Sequence, residues 1–264
     1  MTFVRIPAGE FLMGSALSDT QACECEKPQS SIYLDEYWIG KYPVTNAQFY
    51  AFVQATGYAT QAEQQGTGGV YTGSAWQNLT GANWQHPFGP NSSISGLGNR
   101  PVVQMSWNDA MYFTQWVLHM TAEAIVLPSE AQWEKAARGT DARLYPWGNG
   151  APNTSRLNYA MNIAYPTDVG SYSPASDSPY GAADMAGNVW EWTSSVWGSD
   201  LNTPAFGYPY RSDDGREDQT SADARVLRGG SFVEAALYMR SANRYANFPF
   251  YRYANYGFRI AMNR

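Results

Sequence analysis

Apolar residues recur at helical spacing in three places, each announced by a hydroxyl residue with a glutamine or aspartate three positions on. In VTNAQFYAFVQATGY, Thr45 and Gln48 form a capping-box pair and Gly57 marks the stop. In MSWNDAMYFTQWVLHMT, Ser106 stands three before Asp109; in LPSEAQWEKAARG, Ser129 stands three before Gln132 and Gly139 ends the run. Each predicts a short helix of roughly three turns. Alternating apolar and polar positions predict strands in FVRIPAGEFLMG and SIYLDEYWIGKY, and shorter ones in VLPS, NVWEWTSSVW, RVLRGG and GFRIAM. From Thr140 to Ala224 Gly, Pro, Asn, Asp and Ser interrupt every period, which predicts long functional or ion-ordered loops. No internal repeat or low-complexity linker divides the chain, so a single domain over residues 1–264 is expected.

Composition sharpens this picture. Only 15% of the 264 residues are charged, while Trp (10) and Tyr (19) are frequent, so the interior is expected to use rings that bury area and still hydrogen-bond at the tip. The net charge of −6 and the lack of any basic run speak against a nucleic-acid partner. No run of 18 apolar residues exists, so no membrane insertion is expected. The stretch MTFVRIPAGEFLMGS has neither a basic nor a long apolar leader region, so a cytoplasmic location is expected, with surface display left open. The two cysteines, Cys23 and Cys25, lie too close in sequence for an expected mutual bridge and read as surface thiols. His86 and His119 read as one packed and one exposed histidine rather than as metal ligands.

Four blocks of sequence carry a family resemblance. They are IPAGEFLMGS (6–15), IGKYPVTNAQFYAFV (39–53), LPSEAQWEKAARG with YPWGN (127–139 and 145–149), and YGAADMAGNVWEWTSS with RVLRGGSF and GFRIA (180–195, 225–232 and 257–261). Together they resemble the formylglycine-generating-enzyme/sulfatase-modifying domain. The resemblance implies an α+β, C-type-lectin-like fold with small mixed sheets, short helices and much irregular loop. Enzymes of that family oxidise a substrate cysteine through a copper-binding cysteine pair shortly after the GGSF block, soft sulfur being the ligand that suits Cu(I). Here that segment reads VEAALYM, with Glu234 and Met239 near the expected thiol positions, and no cysteine follows Cys25. The expectation is therefore a non-enzyme with no catalytic residues and no catalytic cofactor. A second branch, forming sulfur–carbon bonds with iron, takes its histidines from an extra helical domain, and His86 and His119, the two histidines of this sequence, are not expected to replace them.

A third branch comprises the variable proteins of diversity-generating retroelements, whose C-terminal cassette is rewritten through codons of the form NNY. The stretch from Phe232 to Tyr256 resembles such a cassette, set within about 226–261. Eight of its 25 residues are aromatic, it contains no Lys, Gln or Trp, and no secondary-structure period runs through it. Arg240, Ser241, Ala242, Asn243, Arg244, Pro249, Arg252 and Gly257 read as its frame, and Glu234 and Met239 as fixed positions outside the NNY set. The expected ligand-binding face is Phe232, Val233, Ala235, Leu237, Tyr238, Tyr245, Ala246, Asn247, Phe248, Phe250, Tyr251, Tyr253, Ala254 and Tyr256. Tyr and Phe there would give contact area at low entropy cost, as in antibody loops. The competing reading packs these rings beneath loops. The partner would be an unknown protein or other macromolecule, with a signalling domain as a candidate fusion or associate. A family oxidase and a non-diversified, catalytically dead regulatory module are the alternatives.

The resemblance also implies structural calcium around the GNVWEW block, with Asp184, Gly187, Val189 and Glu191 as its ligands, mixed oxygen donors of the kind Ca²⁺ prefers. Of a second calcium site only Asn162 and Ile163 are retained.

Overall fold

The computed structural model describes residues 1–263. The first alternating run breaks at Pro7, giving β1 (Phe3–Ile6) and β2 (Gly9–Met13) in different sheets. The second splits at the acidic pair Asp35–Glu36 into β3 (Ser30–Leu34) and β4 (Tyr37–Gly40). α1 (Asn46–Thr56) is capped as expected: the Thr45 hydroxyl accepts from Gln48 N–H, Gln48 Oε1 accepts from Thr45 N–H at 3.0 Å, and Gly57 closes the helix at φ 68°. Three elements follow that the sequence analysis did not predict. They are the short α2 (Gln61–Gln65) and the hairpin of β5 (Thr67–Tyr71) and β6 (Trp76–Thr80). The pair Thr60–Glu63 is a fourth capping box, so the signal for α2 was present.

α3 (Trp107–Thr121) starts from Ser106, β7 (Ile125–Val126) precedes α4 (Glu130–Arg138), and α4 starts from Ser129. After a long irregular stretch come β8 (Trp190–Gly198), β9 (Ala224–Arg228), β10 (Tyr245–Asn247), β11 (Tyr256–Phe258) and β12 (Ala261–Asn263). Of two four-stranded sheets, the antiparallel one runs β1-β4-β12-β7 and the other β10-β9-β8-β11, with β11 parallel to β8; β2-β3 and β5-β6 form two-stranded sheets. This is the expected α+β arrangement of small mixed sheets and short helices. The largest core cluster gathers Phe49, Phe52, Trp84, Phe113, Trp190, Trp192 and Phe258, and joins α1 and α3 to the second sheet. Phe113 meets Phe258 edge-on at 5.3 Å, a favoured aromatic geometry.

Arginine does much of the long-range tying. Arg244 Nε and Nη2 donate to Glu130 Oε1 and Oε2 at 2.6 and 2.8 Å, and its guanidinium lies over Trp197 and Tyr208. Arg228 donates to Glu130, Glu134 and the carbonyls of Ser241, Ala242 and Asn243. Arg240 holds Glu26 through two bonds of 2.6 and 2.8 Å. Arg228, Arg240 and Arg244 thus fork to carboxylates from α4 and from the loop after β2, while Arg252 donates to the Thr67 carbonyl.

The loop at Glu26 corrects one expectation. Cys23 and Cys25 are paired in a disulfide, with their Cα atoms 5.1 Å apart. The one-turn helix at Glu24–Glu26 folds the two residues to one side, and Cys25 N–H points at Cys23 Sγ. A sequence separation of two is bridgeable because the backbone turns there.

Burial by itself would raise the Glu130 pKa, but Arg244 and Arg228 hold it below the usual carboxylate range. A depressed folded pKa stabilises the fold above the unfolded value and loses that stabilisation as pH falls through the folded one. Arg244→Met should therefore cost about 3–5 kcal/mol in urea unfolding at neutral pH, the usual result of breaking a buried pair. The difference from wild type should narrow on acidification through the depressed pKa of Glu130.

Candidate functional site

β9 leaves the sheet through Gly229 and Gly230, at φ 98° and 73°. The chain is pressed close here: a Cβ on Gly230 would stand 2.9 Å from the Tyr238 carbonyl, so only glycine fits. The turn delivers Ser231, Phe232, Val233 and Glu234 over the end of β8. Phe232 points inward against Phe88, and its carbonyl accepts from Met161 N–H at 2.7 Å.

Glu234 is the one acid of this turn, and it is half-buried. The Ser231 hydroxyl donates to its Oε2, and Asn255 Nδ2 lies 3.4 Å from Oε1. The same Asn255 amide donates to Ser231 Oγ at 2.9 Å, so one side chain orients both partners. The Trp190 side chain also hydrogen-bonds the carboxylate. Burial pushes the Glu234 pKa above the ordinary carboxylate range, against the opposing hydrogen bonds from Ser231 and Trp190. Rings surround it: Tyr245 stacks on Trp190 at 5.2 Å and Tyr238 meets the same indole edge-on at 6.4 Å. Tyr245 also hydrogen-bonds Tyr256, whose hydroxyl accepts from Asn247 Nδ2 at 3.1 Å. A partly solvated carboxyl with a raised pKa, set against fixed aromatic faces, can take up and return a proton at higher pH than an ordinary carboxylate.

Met239, near the second expected thiol position, has no such role. It is fully buried with Tyr145, Leu157 and Ala186. The donors at the two positions are thus a hard carboxylate and an enclosed thioether, a set that does not fit Cu(I).

The expected ligand-binding residues divide. Phe232, Ala246, Asn247, Ala254 and Tyr256 are buried and form no outward face. Ala235, Leu237, Tyr238, Tyr245 and Phe250 are exposed, while Val233, Phe248, Tyr251 and Tyr253 are half-buried. The structure brings two groups of these rings together. Tyr238 and Tyr245 flank Trp190, and Phe248, Phe250, Tyr251 and Tyr253 stack in succession at 4.9–5.9 Å. Trp76, on the unpredicted β6, meets Tyr253 edge-on at 4.9 Å and extends the aromatic run. Trp190, Ser231 and Asn255 were the site residues that sequence reasoning missed. Trp190 and Ser231 stood in quoted family blocks, but only contact shows that they orient Glu234.

The expected calcium ligands form a different arrangement. Asp184 sits at φ 55° and accepts from Gly170 N–H at 2.7 Å; burial pushes its pKa up to about 6. Glu191 accepts from Arg259 on both oxygens, at 2.5 and 2.7 Å, and from Trp133 Nε1 at 2.6 Å. Arg259 further donates to the carbonyls of Ala183 and Asp184. A guanidinium therefore already meets the oxygen atoms that a cation would need from Glu191. Among the expected ligands Asp184, Gly187, Val189 and Glu191, it is Glu191 that does not stand as an open calcium ligand here, its two oxygens being paired with Arg259. Ile163 N–H donates to Asn158, and Asn162 N–H to the Tyr159 carbonyl. His86 Nδ1 contacts the Ser92 carbonyl at 2.5 Å and His119 is exposed on α3. Among the described residues no three His, Cys, Asp or Glu side chains converge as a metal group, and no helix is long and apolar enough to cross a membrane.

Comparison with known proteins places this geometry in a family. The sulfatase-modifying factor enzyme 1-like domain matches residues 1–264. A formylglycine-generating enzyme of Thermomonospora curvata is 37% identical over 98% of this chain and 92% of its own. A hercynine oxygenase of Mycolicibacterium smegmatis is 31% identical over 98% of this chain and 61% of its own. A mouse protein named inactive C-alpha-formylglycine-generating enzyme 2 is 32% identical over 98% and 84%. Among solved structures, PvdO from Pseudomonas aeruginosa superposes with a TM-score of 0.76 at 24% identity, covering 99% of this chain and 94% of that one. Treponema denticola variable protein 1 gives 0.68 at 20% identity, covering 99% and 95%. Both share the fold.

These relatives correct the expectation of a non-enzyme. That expectation rested on the missing cysteine pair, yet chains 31–37% identical over nearly the whole length carry the names of enzymes, which points to an enzyme here as well. Loss of the thiols removes one set of reacting groups, while the turn that would present them still presents Glu234. From its matching blocks, its fold and its relatives, the chain belongs to the sulfatase-modifying factor enzyme 1-like domain family.

Proposed function

We propose that this protein is an enzyme whose chemical step moves a proton between a bound substrate and Glu234, in place of thiol-based oxidation. The observation that carries the reading is the Glu234 carboxyl itself. It occupies the turn after Gly229–Gly230, is held by Ser231 and Asn255, and has its pKa raised by burial beside Trp190. Tyr238 and Tyr245 supply flat faces on either side of that indole, against which an apolar or unsaturated part of a substrate would lie. Ser231 is fully buried and serves to orient the carboxylate, not to attack.

Wild type incubated with the small-molecule and peptide extract of its own cells, in water and in deuterium oxide, should convert at least one component, as seen by mass spectrometry. Glu234→Gln should slow that conversion by about 10²–10⁴-fold, the usual worth of a positioned acid–base group. Equal rates for the two proteins would sink the carboxylate mechanism. Stability gives a second readout. A raised folded pKa means that Glu234 favours the fold below its unfolded value and loses that contribution as pH rises through the folded one. Glu234→Gln should therefore melt higher than wild type above the raised pKa and lose that advantage in acid.

A second reading concerns the outer rings, which also suit recognition of a macromolecular ligand, with positions exchangeable in the manner of a retroelement cassette. The exposure of Leu237, Tyr238 and Phe250 favours it, since these side chains protrude from a backbone tied down by Arg240, Arg244 and Arg252. Serine at any of the three should shift the melting temperature by no more than about 2 °C, as for surface sites in general. Serine at Phe232 or Tyr256, both buried, should cost about 3–5 kcal/mol. Comparable losses in the two sets would end the notion of an exchangeable outer face.

A further inference from the structure

The loop between β2 and β3 carries the two cysteines of the chain, bridged over a sequence separation of two. A bridge stabilises chiefly by taking loop-closure entropy from the unfolded chain, and so short a loop has little to give, which makes this one a poor staple. Other bonds already hold the loop. The Glu26 carbonyl accepts from Ser15 N–H at 2.8 Å, and the Glu26 carboxylate accepts from Ser15 Oγ at 2.8 Å and from Arg240. The Cys25 carbonyl accepts from Arg244 Nη1 at 2.8 Å, and Cys25 packs against the buried cluster of Trp197, Val226 and Ala246. The backbone that brings the two sulfurs together therefore does not depend on the bond between them.

The two sulfurs are not equivalent. Cys23, whose side chain is one carbon and one sulfur, is exposed, while Cys25 is half-buried. The Cys25 N–H donates to Cys23 Sγ at 2.9 Å. A donor on that sulfur draws charge from it in the bridge and stabilises it as thiolate once freed, and the thiolate is the form that reacts. Glu24, the residue between the two, extends into solvent and pairs with Lys27 Nζ at 3.0 Å, so its negative charge is offset. The loop thus offers one accessible sulfur with an N–H aimed at it, and a second sulfur held back to resolve whatever the first has bonded.

We propose that Cys23 and Cys25 form a redox-active pair that exchanges its bridge with a small thiol compound, Cys23 being the sulfur that meets the compound. In the first step the thiolate of the compound attacks Cys23 Sγ. The bond between Cys23 and Cys25 breaks, its electron pair leaves on Cys25 Sγ, and that sulfur takes a proton from water. In the second step another thiolate of the compound attacks the compound's own sulfur in the mixed disulfide, and Cys23 Sγ leaves as a thiolate that accepts from Cys25 N–H. Two thiols are oxidised to one disulfide, and the protein's bridge is reduced to two thiols by the two electrons released. The reverse sequence, with a small disulfide as oxidant, closes the bridge again. No atom of Glu234 takes part, so the exchange stands whether or not that carboxyl moves a proton.

The test uses the full chain in mixtures of reduced and oxidised glutathione, with free thiols alkylated and each cysteine followed by mass spectrometry. Native wild type should pass between bridged and dithiol forms as the ratio is varied, and the two forms should melt within about 5 °C of each other, since other bonds hold the loop. Oxidised glutathione should cap Cys23 in Cys25→Ser at least about tenfold faster than it caps Cys25 in Cys23→Ser, and guanidinium should abolish the difference. Should either variant fail to fold, the mixed disulfide trapped on wild type decides, with glutathione expected on Cys23. A bridge that reduced glutathione opens only after unfolding is a structural one and would overturn the proposal. So would thiols that stay free in oxidised glutathione, or capping that favours Cys25.

Discussion

Arg228 reaches, from a single buried guanidinium, two carboxylates on α4 and three backbone carbonyls of the segment that follows the glycine turn. A charge taken out of water is costly unless it is paired and hydrogen-bonded, and each of the two Arg228 Nη nitrogens meets both a carboxylate and a backbone carbonyl oxygen. That requirement fixes the distance between α4, β9 and residues 241–243 together. Arg244 and Arg240 repeat the pattern toward Glu130 and Glu26, the latter across 214 residues of sequence. The C-terminal segment, poor in regular structure, is held by these charged clamps more than by strand pairing.

The clamps matter because they decide what the turn at Gly229–Gly230 can present. Arg240 and Arg244 set the path into β10, and so place Tyr245 over Trp190. On the other side, Asn255 comes from the residue preceding β11 and aligns Ser231 with Glu234. The carboxylate is thus oriented from both ends of the segment by groups that are themselves buried. A raised pKa on such a carboxyl is a cost to the fold, and sites of that kind are commonly kept for chemistry.

The same segment has two layers. Phe232, Ala246, Ala254 and Tyr256 face the interior and answer to packing, while Leu237, Tyr238 and Phe250 face solvent and answer to whatever they meet. Catalysis at Glu234 and recognition by outer rings meet at Tyr238, which flanks Trp190 and is also exposed, whereas Leu237 and Phe250 belong to the outer layer alone. Arg259 plays a comparable double part at the other end. It interrupts the last strand run between β11 and β12, and its guanidinium supplies the positive charge that Glu191 requires.

Local rules in the sequence determined the helices and much of the fold. Thr45, Ser106 and Ser129 each meet a partner three residues on, and a contact of that range is written in consecutive letters. The ordered blocks gave the family and its α+β arrangement. The frame character of Arg240 and Arg244 was legible too, although their partners were not. Tertiary structure alone decided which rings of residues 232–256 turn inward, because no period of 2 or 3.6 runs through a segment whose shape is set by charges far away in sequence. It also decided that Glu191 meets Arg259 instead of an open ligand cage, that Cys23 turns back onto Cys25, and that Ser231, Trp190 and Asn255 converge on Glu234. Burial and long-range pairing are properties of the assembled chain, and no window of neighbouring residues contains them.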